Sequence, residues 1–471
     1  MQRIAIIGGG ISGLTSAFRL EQQRARGMGL EFVLFESSAR FGGVIKTDQV
    51  EGSVLETGPD SFLTEKIWAV DLCRELGLAD QLIPSCDAQR TTFILVGGRL
   101  VAVPDGLMFM VPTRLLPTFF SPLFSWRTKF KIVSEWLLPP PAILADTTVA
   151  KFLERHYGTE MVERLVDPLL LGVYGGSAEE LSVEAVLPRL VDIERRHGSL
   201  GRGLAASKKS AAIGRPKALF TSLKNGMQQI VDALVARIPP QACRLNSPVE
   251  AVVCESGRWL VVSSGRTEEF DAAIIAAPAP RAAEMLKANA SLAGELGEIR
   301  YSSSLTVVLK YEGRVRSAMP SGFGFLVPRQ EKRRLLAATF VHNKFAHRAP
   351  ADQAVLRCFF GGTSDEEIYH TSDDQIEEIV SSEVGQILKL QERPAFLRIQ
   401  RWEKAMPQYG LGHQERIKRI RALLDALPGL GLAGNAYSGI GVPDCIRNAS
   451  EAALKVLNDL GLTQPLTQSG P

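Results

Sequence analysis

Histidine and cysteine are scarce and scattered, six of each, with no Cys-x-x-Cys pair and no histidine cluster. That spread argues against a metal centre or a disulfide framework and fits reduced thiols in a reducing compartment. Charge of one sign is also lacking. The net charge is only +3, without a long basic run, so no nucleic-acid partner is expected. No apolar run reaches the roughly 18–20 residues that a spanning helix needs, and no internal repeat is visible. A secretory leader is not expected, because one arginine leads straight into Ile4-Ala5-Ile6-Ile7 and then glycines. A cytoplasmic location, or one on the cytoplasmic face of a membrane, follows as the expectation.

What is present reads as an enzyme-sized α/β protein. At 471 residues, with 45% apolar and 22% charged side chains, the chain has room for two to three domains with large cores. Ile4 to Ile7 form an apolar strand, Leu14, Ala17, Phe18 and Leu20 have helical spacing, and Phe32-Val33-Leu34-Phe35 is a second buried strand. Such a βαβ start predicts a parallel sheet covered on both faces. Its first turn is Gly8-Gly9-Gly10-Ile11-Ser12-Gly13, a GxGxxG element. The glycines allow a tight turn, close backbone approach to a pyrophosphate and close helix–strand packing, and the helix N-terminus faces the phosphate charge. Glu36, followed by Ser37, ends the next strand about twenty residues on, where a ribose-binding acid is expected. Arg40-Phe41-Gly42-Gly43 then offers a fixed cation and open backbone to the same pyrophosphate. This element resembles FAD proteins of the amine-oxidase and glutathione-reductase type rather than NAD dehydrogenases. Near the far end, Leu432-Ala433-Gly434-Asn435 through Ser438-Gly439-Ile440-Gly441-Val442-Pro443-Asp444-Cys445 is a second strand–turn–helix. Its helix N-terminus is expected near the flavin's pyrimidine edge, where it favours negative charge on the reduced ring.

Between these ends the texture changes. Residues 100–142 combine Leu107 to Val111, Leu115-Leu116 and Phe119-Phe120 with Pro112, Pro117 and Pro122, so helices there must be short. Two readings stay open: a proline-broken helical core, or a monotopic membrane-facing patch with Trp126, Trp136, Arg127, Lys129 and Lys131 as anchors. Residues 148–235 read as mostly helical, with a loop near Gly198–Gly214. Val249 to Cys254 and Trp259 to Ser263 read as a hairpin, Ala272 to Ala277 as a buried strand, and Ser303 to Tyr311 and Arg334 to Phe340 as further strands. A helix from about Cys445 to Leu460 follows, and the tail beyond Leu462 is expected to fray.

The central segments carry a narrower likeness. Glu56-Thr57-Gly58-Pro59-Asp60-Ser61-Phe62, Asp167-Pro168-Leu169 through Gly172 to Gly176, Glu180-Leu181-Ser182, Gly322-Phe323-Gly324-Phe325-Leu326-Val327-Pro328, Phe360-Gly361-Gly362 and Arg401-Trp402 with Pro407-Gln408-Tyr409 together resemble the oxygen-dependent protoporphyrinogen/coproporphyrinogen III oxidase family of flavoproteins. The resemblance implies non-covalent FAD and a porphyrinogen substrate. It implies a six-electron oxidation in three hydride transfers, with O₂ reduced to H₂O₂. It also implies a homodimer. By residue match, Gly8 to Gly13, Glu36, Ser37, Arg40, Gly42, Gly43, Gly58, Pro59, Asp60, Ser61, Val249, Trp402, Gly434, Ile440, Gly441 and Val442 bind the cofactor. Gly172, Phe323, Gly324, Leu326 and Phe359 match substrate-pocket positions, although on structural grounds alone the aromatic segment is equally ordinary strand core.

Two departures from the family pattern stand out. Its propionate-pairing arginine falls at Thr92, and Arg90, of the same strand parity, is the candidate replacement against a plain solvated arginine. Asp60 stands where many bacterial and plant members have asparagine; it is either a base accepting a pyrrole proton or a turn aspartate bonded to backbone. The non-basic Thr92 favours protoporphyrinogen IX over coproporphyrinogen III, while Arg202, Lys208 and Lys209 are either a basic rim for the latter or a solvated run. A non-catalytic lipid carrier of this fold needs no intact FAD site, and here Gly8 through Gly43 is complete. The expected architecture is α/β and amine-oxidase-like. A Rossmann-like FAD domain is drawn from 1–70, 216–285 and 420–471, a mixed-sheet substrate domain from 71–99, 206–215 and 286–419, and an inserted helical, membrane-facing domain from 100–205.

Overall fold

The computed structural model describes residues 1–108, 110–141, 145–210 and 218–462. A five-stranded parallel sheet runs in the order Cys243–Arg244, Leu30–Phe35, Gln2–Ile7, Ala272–Ile275, Leu430–Leu432. Three regions distant in sequence therefore supply one sheet. Successive residues of a strand face opposite sides, and both sides are apolar because both are covered. Ile4 and Ile6 pack with Leu14, Ala17 and Phe18 of helix Ile11–Ala25 and with Ile446 and Ala449 of helix Val442–Asp459. Ala5 and Ile7 pack with Trp259, Val261 and Phe270 of the three-stranded antiparallel unit that contains the expected hairpin.

A second sheet has seven strands, in the order Phe396–Pro407, Tyr301–Glu312, Gln353–Gly361, Ala337–Phe340, Gly324–Leu326, Thr92–Val96, Arg99–Ala102. It is mixed because Gly324–Leu326 pairs parallel with Thr92–Val96 while its other pairings are antiparallel. One face packs on helix Asp373–Leu388 through Leu305, Val307, Phe360, Ile376, Val380 and Val384. The opposite face carries two cross-strand rows. Thr92, Gly324, Thr339 and Arg357 form one; Ile94, Leu326, Ala337, Phe359 and Thr306 form the next. The second row meets a helical core that includes Val166, Leu170 and Tyr409.

The helices between residues 115 and 210 include Leu115–Phe120, Trp126–Leu137, Val149–Tyr157, Asp167–Tyr174, Pro188–His197 and Leu200–Ser210, with Pro122 and Pro139 to Pro141 in the segments beside the first two. The last occupies the expected loop. Its glycines serve packing: a Cβ at Gly201 would lie 2.2 Å from the Trp136 Nε1, and one at Gly203 would lie 2.4 Å from Ile193 Cγ2. Glycine within a helix then marks close approach rather than a break. The rest of that expected loop, the Lys208 and Lys209 side chains and the expected fraying tail lie outside the described residues. The C-terminal helix begins at Val442 rather than Cys445, because Pro443 suits a first helical turn. Among the described residues, no helix is long and apolar enough to cross a membrane.

Candidate active site

The opening turn is closed by its glycines. Gly8 has φ +108°, and a Cβ there would lie 2.6 Å from the Ala276 carbonyl oxygen; one at Gly13 would lie 1.7 Å from the Gly8 oxygen. A Cβ at Gly9 would strike the Phe41 ring at 2.5 Å. Gly10 differs, since its nearest neighbour would be Gly43 Cα at 4.0 Å, which leaves an open seat. The helix behind it has no side-chain cap and no acid in its first turn, so the N–H groups at Ile11, Ser12 and Gly13 are available to an anion. Glu36 lies alongside, one carboxylate oxygen accepting from Gly9 N at 2.6 Å and the other from Ser38 N at 2.7 Å and Ser37 Oγ at 3.3 Å. Ser247 N donates to Glu36 O at 2.8 Å, which leads the chain to Val249 beside the same acid. A cradle open at the phosphate seat, with the Glu36 carboxylate at the end of the next strand, fits FAD. Gly42 N donates to Gly9 O at 2.8 Å. The Arg40 guanidinium donates to Phe41 O at 3.0 Å, Ile45 O at 3.1 Å and Gly43 O. Its first task is therefore to fold the Gly42-Gly43 loop.

The far-end turn meets this cradle. Ser12 Oγ donates to Cys445 O at 3.4 Å, so the two helix N-termini sit together. Asn448 Nδ2 donates to Gly434 O at 3.1 Å. Tyr409 Oη donates to Asn435 O and accepts from Gly439 N at 3.1 Å, tying the turn that carries Ile440, Gly441 and Val442. The second helix is not the bare positive end expected from the glycines. Asp444 in its first turn accepts from Gly441 N at 3.3 Å and from Lys66 Nζ at 2.5 Å, and this pair offsets much of the dipole. On the other side, Trp402 Nε1 donates to Thr57 O at 2.9 Å. A Cβ at Gly58 would lie 1.7 Å from Val44 O, so Thr57 to Pro59 is pressed against the cradle's floor.

The substrate-pocket positions converge in part. A Cβ at Gly172 would lie 3.9 Å from both Leu326 and Ala337, and Leu326, Phe359 and Ile440 share one apolar cluster. Gly324 lies one row away, paired with Thr92 and Thr339. Phe323 is buried but stands outside that cluster. Arg90 does not take the predicted place. It is exposed and caps the turn Asp87–Gln89, before the strand starts at Thr92, so strand parity does not apply to it.

Asp60 also departs from its expected role. Lys344 Nζ lies 3.0 Å from Asp60 Oδ2 and 3.0 Å from Ser61 Oγ, and an Arg357 guanidinium nitrogen lies 3.2 Å from Asp60 Oδ2. Burial would raise the carboxyl's pKa, but Lys344 and Arg357 outweigh it and hold the group well below the usual aspartate range. The geometry makes Asp60 the ion-pair partner of Lys344 and Arg357, a counter-ion role that neither reading from the sequence anticipated. Burial lowers the Lys344 pKa, Asp60 opposes this, and the Arg357 and Arg348 guanidiniums add to the lowering. Arg348 is itself paired with the fully buried Glu56 at 2.9 Å. Sequence reasoning missed Lys344 and Arg357. The available signal was Arg357 itself, a charge inside the apolar run Ala354-Val355-Leu356 to Cys358-Phe359-Phe360.

Comparison with known proteins gives the family and the fold. The sequence profile of flavin containing amine oxidoreductases matches residues 11–457. A coproporphyrinogen III oxidase of Bacillus subtilis (strain 168) is 31% identical over 98% of each chain. The mitochondrial protoporphyrinogen oxidase of Nicotiana tabacum is 27% identical over 98% of this chain and 95% of its own. A crystal structure from Exiguobacterium sp. 255-15, carrying a provisional protoporphyrinogen oxidase name, superposes with a TM-score of 0.87 at 30% identity, covering 98% of this chain and 99% of that one. Cyclohexylamine oxidase from Brevibacterium oxydans IH-35A, at 18% identity and a TM-score of 0.67 over 98% of this chain and 99% of its own, shares the fold alone.

Proposed function

Because the chain belongs to the flavin-containing amine oxidoreductase family, we propose that it oxidises a porphyrinogen to its porphyrin, and that coproporphyrinogen III is the preferred substrate. It is an FAD-dependent oxidoreductase. The observation that carries the reading is the apolar cluster in which Leu326, Phe359 and Ile440 meet, with Gly172 packed against Leu326 and the buried Arg357 guanidinium 5.1 Å from the centroid of the Phe359 ring. A flat macrocycle with carboxylates needs that combination of apolar walls and fixed positive charge. The relatives named coproporphyrinogen III oxidase are 26% to 32% identical, most of them above the 27% of the Nicotiana tabacum protoporphyrinogen oxidase, which favours the tetracarboxylate. The opposite expectation rested on Thr92 not being basic; Arg357 offers a cation in the same cross-strand row.

The division of labour follows from the site. The Gly10 seat and the adjoining helix end would hold the pyrophosphate of FAD and Glu36 its ribose, while Trp402, Gly441 and Val442 would lie beside its flavin. Gly172, Leu326 and Phe359 orient the macrocycle and exclude water. When bound, FAD supplies the two-electron acceptor chemistry. Overall the porphyrinogen loses six electrons and six protons in three steps, and three O₂ become three H₂O₂. Porphyrin fluorescence on anaerobically prepared porphyrinogen tests this: FAD-loaded protein should release porphyrin with three H₂O₂ per macrocycle, and its failure to do so overturns the reading.

We further propose that helices Leu115–Phe120 and Trp126–Leu137 rest on a membrane surface at the cytoplasmic face. Leu116, Phe120, Trp126, Phe130 and Leu137 are exposed on them, with Leu138 beside them and Arg127 among them. An apolar face with basic neighbours suits an interfacial position.

A further inference from the structure

Three buried basic side chains, Lys344, Arg348 and Arg357, gather round two carboxylates, Asp60 and Glu56. Arg348 is matched by Glu56 at 2.9 Å. Lys344 and Arg357, 8% and 4% exposed, share the single carboxylate of Asp60. Lys344 spends its ammonium on both Asp60 oxygens and Ser61 Oγ. Arg357 gives one nitrogen to Asp60 and another to Gly58 O, while its buried Nε has no hydrogen-bond partner. Three basic side chains thus share two carboxylates, and the buried Arg357 Nε–H is left without an acceptor, an arrangement that is costly unless an anion completes it. The surroundings say where the anion would come from. Arg357 lies on the sheet face that bears Phe359, its guanidinium 5.1 Å from that ring's centroid, and it shares a cross-strand row with Gly324 and Thr92. Gly324 and Thr339 separate it from Thr92 across about 14 Å of sheet.

We propose that Arg357, paired with Asp60, is the subsite that binds one substrate carboxylate beside Phe359. The ligand class is a carboxylate carried on an apolar macrocycle. This rests on the porphyrinogen reading above and adds to it a determinant of specificity. A macrocycle with a propionate on every pyrrole presents an acid to this subsite in any orientation, whereas one with propionates on only two adjacent rings can turn alkyl or vinyl groups toward it.

The test compares coproporphyrinogen III with the porphyrinogen of its tetramethyl ester, which keeps the ring and removes the charges. Arg357→Gln should raise KM for the acid about 30- to 100-fold, leave KM for the ester within about threefold, and retain the bound-flavin absorbance. Arg357→Lys, which keeps a charge but not the fork, should recover part of the acid's KM. Parallel losses for acid and ester, or a shifted flavin potential with KM for the acid unchanged, would overturn the subsite and make these cations servants of the fold or of the cofactor. Should Arg357→Gln fail to hold FAD, Arg357→Lys decides on the same acid-to-ester comparison. Wild-type holoenzyme that oxidises neither acid nor ester would instead sink the porphyrinogen reading itself, a result distinct from either outcome in the variants.

Discussion

Asp60→Asn separates the two roles that this residue could have. The wild-type carboxylate lies 3.0 Å from Lys344 Nζ and 3.2 Å from Arg357, so each attraction is about 5 kcal/mol at an effective dielectric of about 20. Most of that offsets desolvation, and removing one partner of a buried pair typically costs about 3–5 kcal/mol. The substitution should therefore lower the urea midpoint of the holoenzyme with little change in slope. Rapid-mixing reduction of the flavin by porphyrinogen should proceed within about threefold of wild type, and KM for the tetracarboxylate should not rise, because the anion competing for Arg357 is gone. A general base would behave otherwise, with a rate loss of about 10²–10⁴. A hundredfold slower reduction step with stability unchanged would refute the counter-ion account. The pH dependence agrees in sign. A carboxyl whose pKa is lowered on folding stabilises the protein above the ordinary aspartate range and loses that contribution as pH falls toward its depressed value.

Three further perturbations test other parts of the molecule. Gly10→Ala should leave folding intact, since its Cβ would meet nothing nearer than 4.0 Å, yet fill the phosphate seat and lower the flavin-to-protein absorbance ratio; Gly13→Ala, with its Cβ 1.7 Å from a carbonyl, should damage the turn and yield little soluble protein. His156 is fully buried between Glu135 at 3.2 Å and Glu194 at 2.9 Å. Burial lowers its pKa, but the bonds to the two carboxylates together raise it above the ordinary value, so the imidazolium's stabilisation is complete below about pH 6.5 and fades as pH rises through the raised value. The thermal midpoint gap between wild type and His156→Gln should accordingly narrow with rising pH, and a constant gap would exclude the charge. Replacing Phe120 and Phe130 with serine should reduce binding to anionic phospholipid vesicles at least tenfold without altering turnover of detergent-dispersed substrate, because burying each phenylalanine contributes about 1.5–3 kcal/mol; equal sedimentation of variant and wild type would remove the membrane proposal.

The cofactor cradle was legible in the sequence because its determinants are local. Gly8, Gly13 and Glu36 act within one βαβ unit, and their spacing reports geometry directly. The far-end turn was legible for the same reason, except for Asp444 and Lys66, which are remote in sequence and meet only in the fold. The ion cluster around Asp60 was not legible. Asp60 reads as a turn aspartate or a base until Lys344 and Arg357, nearly three hundred residues later, are brought against it by the seven-stranded sheet. Arg90 misled because parity assumes a strand, and a short turn ends just ahead of Thr92. The helix Leu200–Ser210 was hidden because glycine count reports both loops and close helix packing, and only the neighbouring Trp136 and Ile193 decide between them.

The most direct measurement is kcat/KM of the FAD-loaded protein for coproporphyrinogen III and for protoporphyrinogen IX under identical detergent and O₂, followed by porphyrin fluorescence. Porphyrin formation from both, with the tetracarboxylate favoured at least tenfold, is the result predicted here. Preference for protoporphyrinogen IX would contradict the assignment of the buried cations, and oxidation of neither would contradict porphyrinogen oxidation altogether.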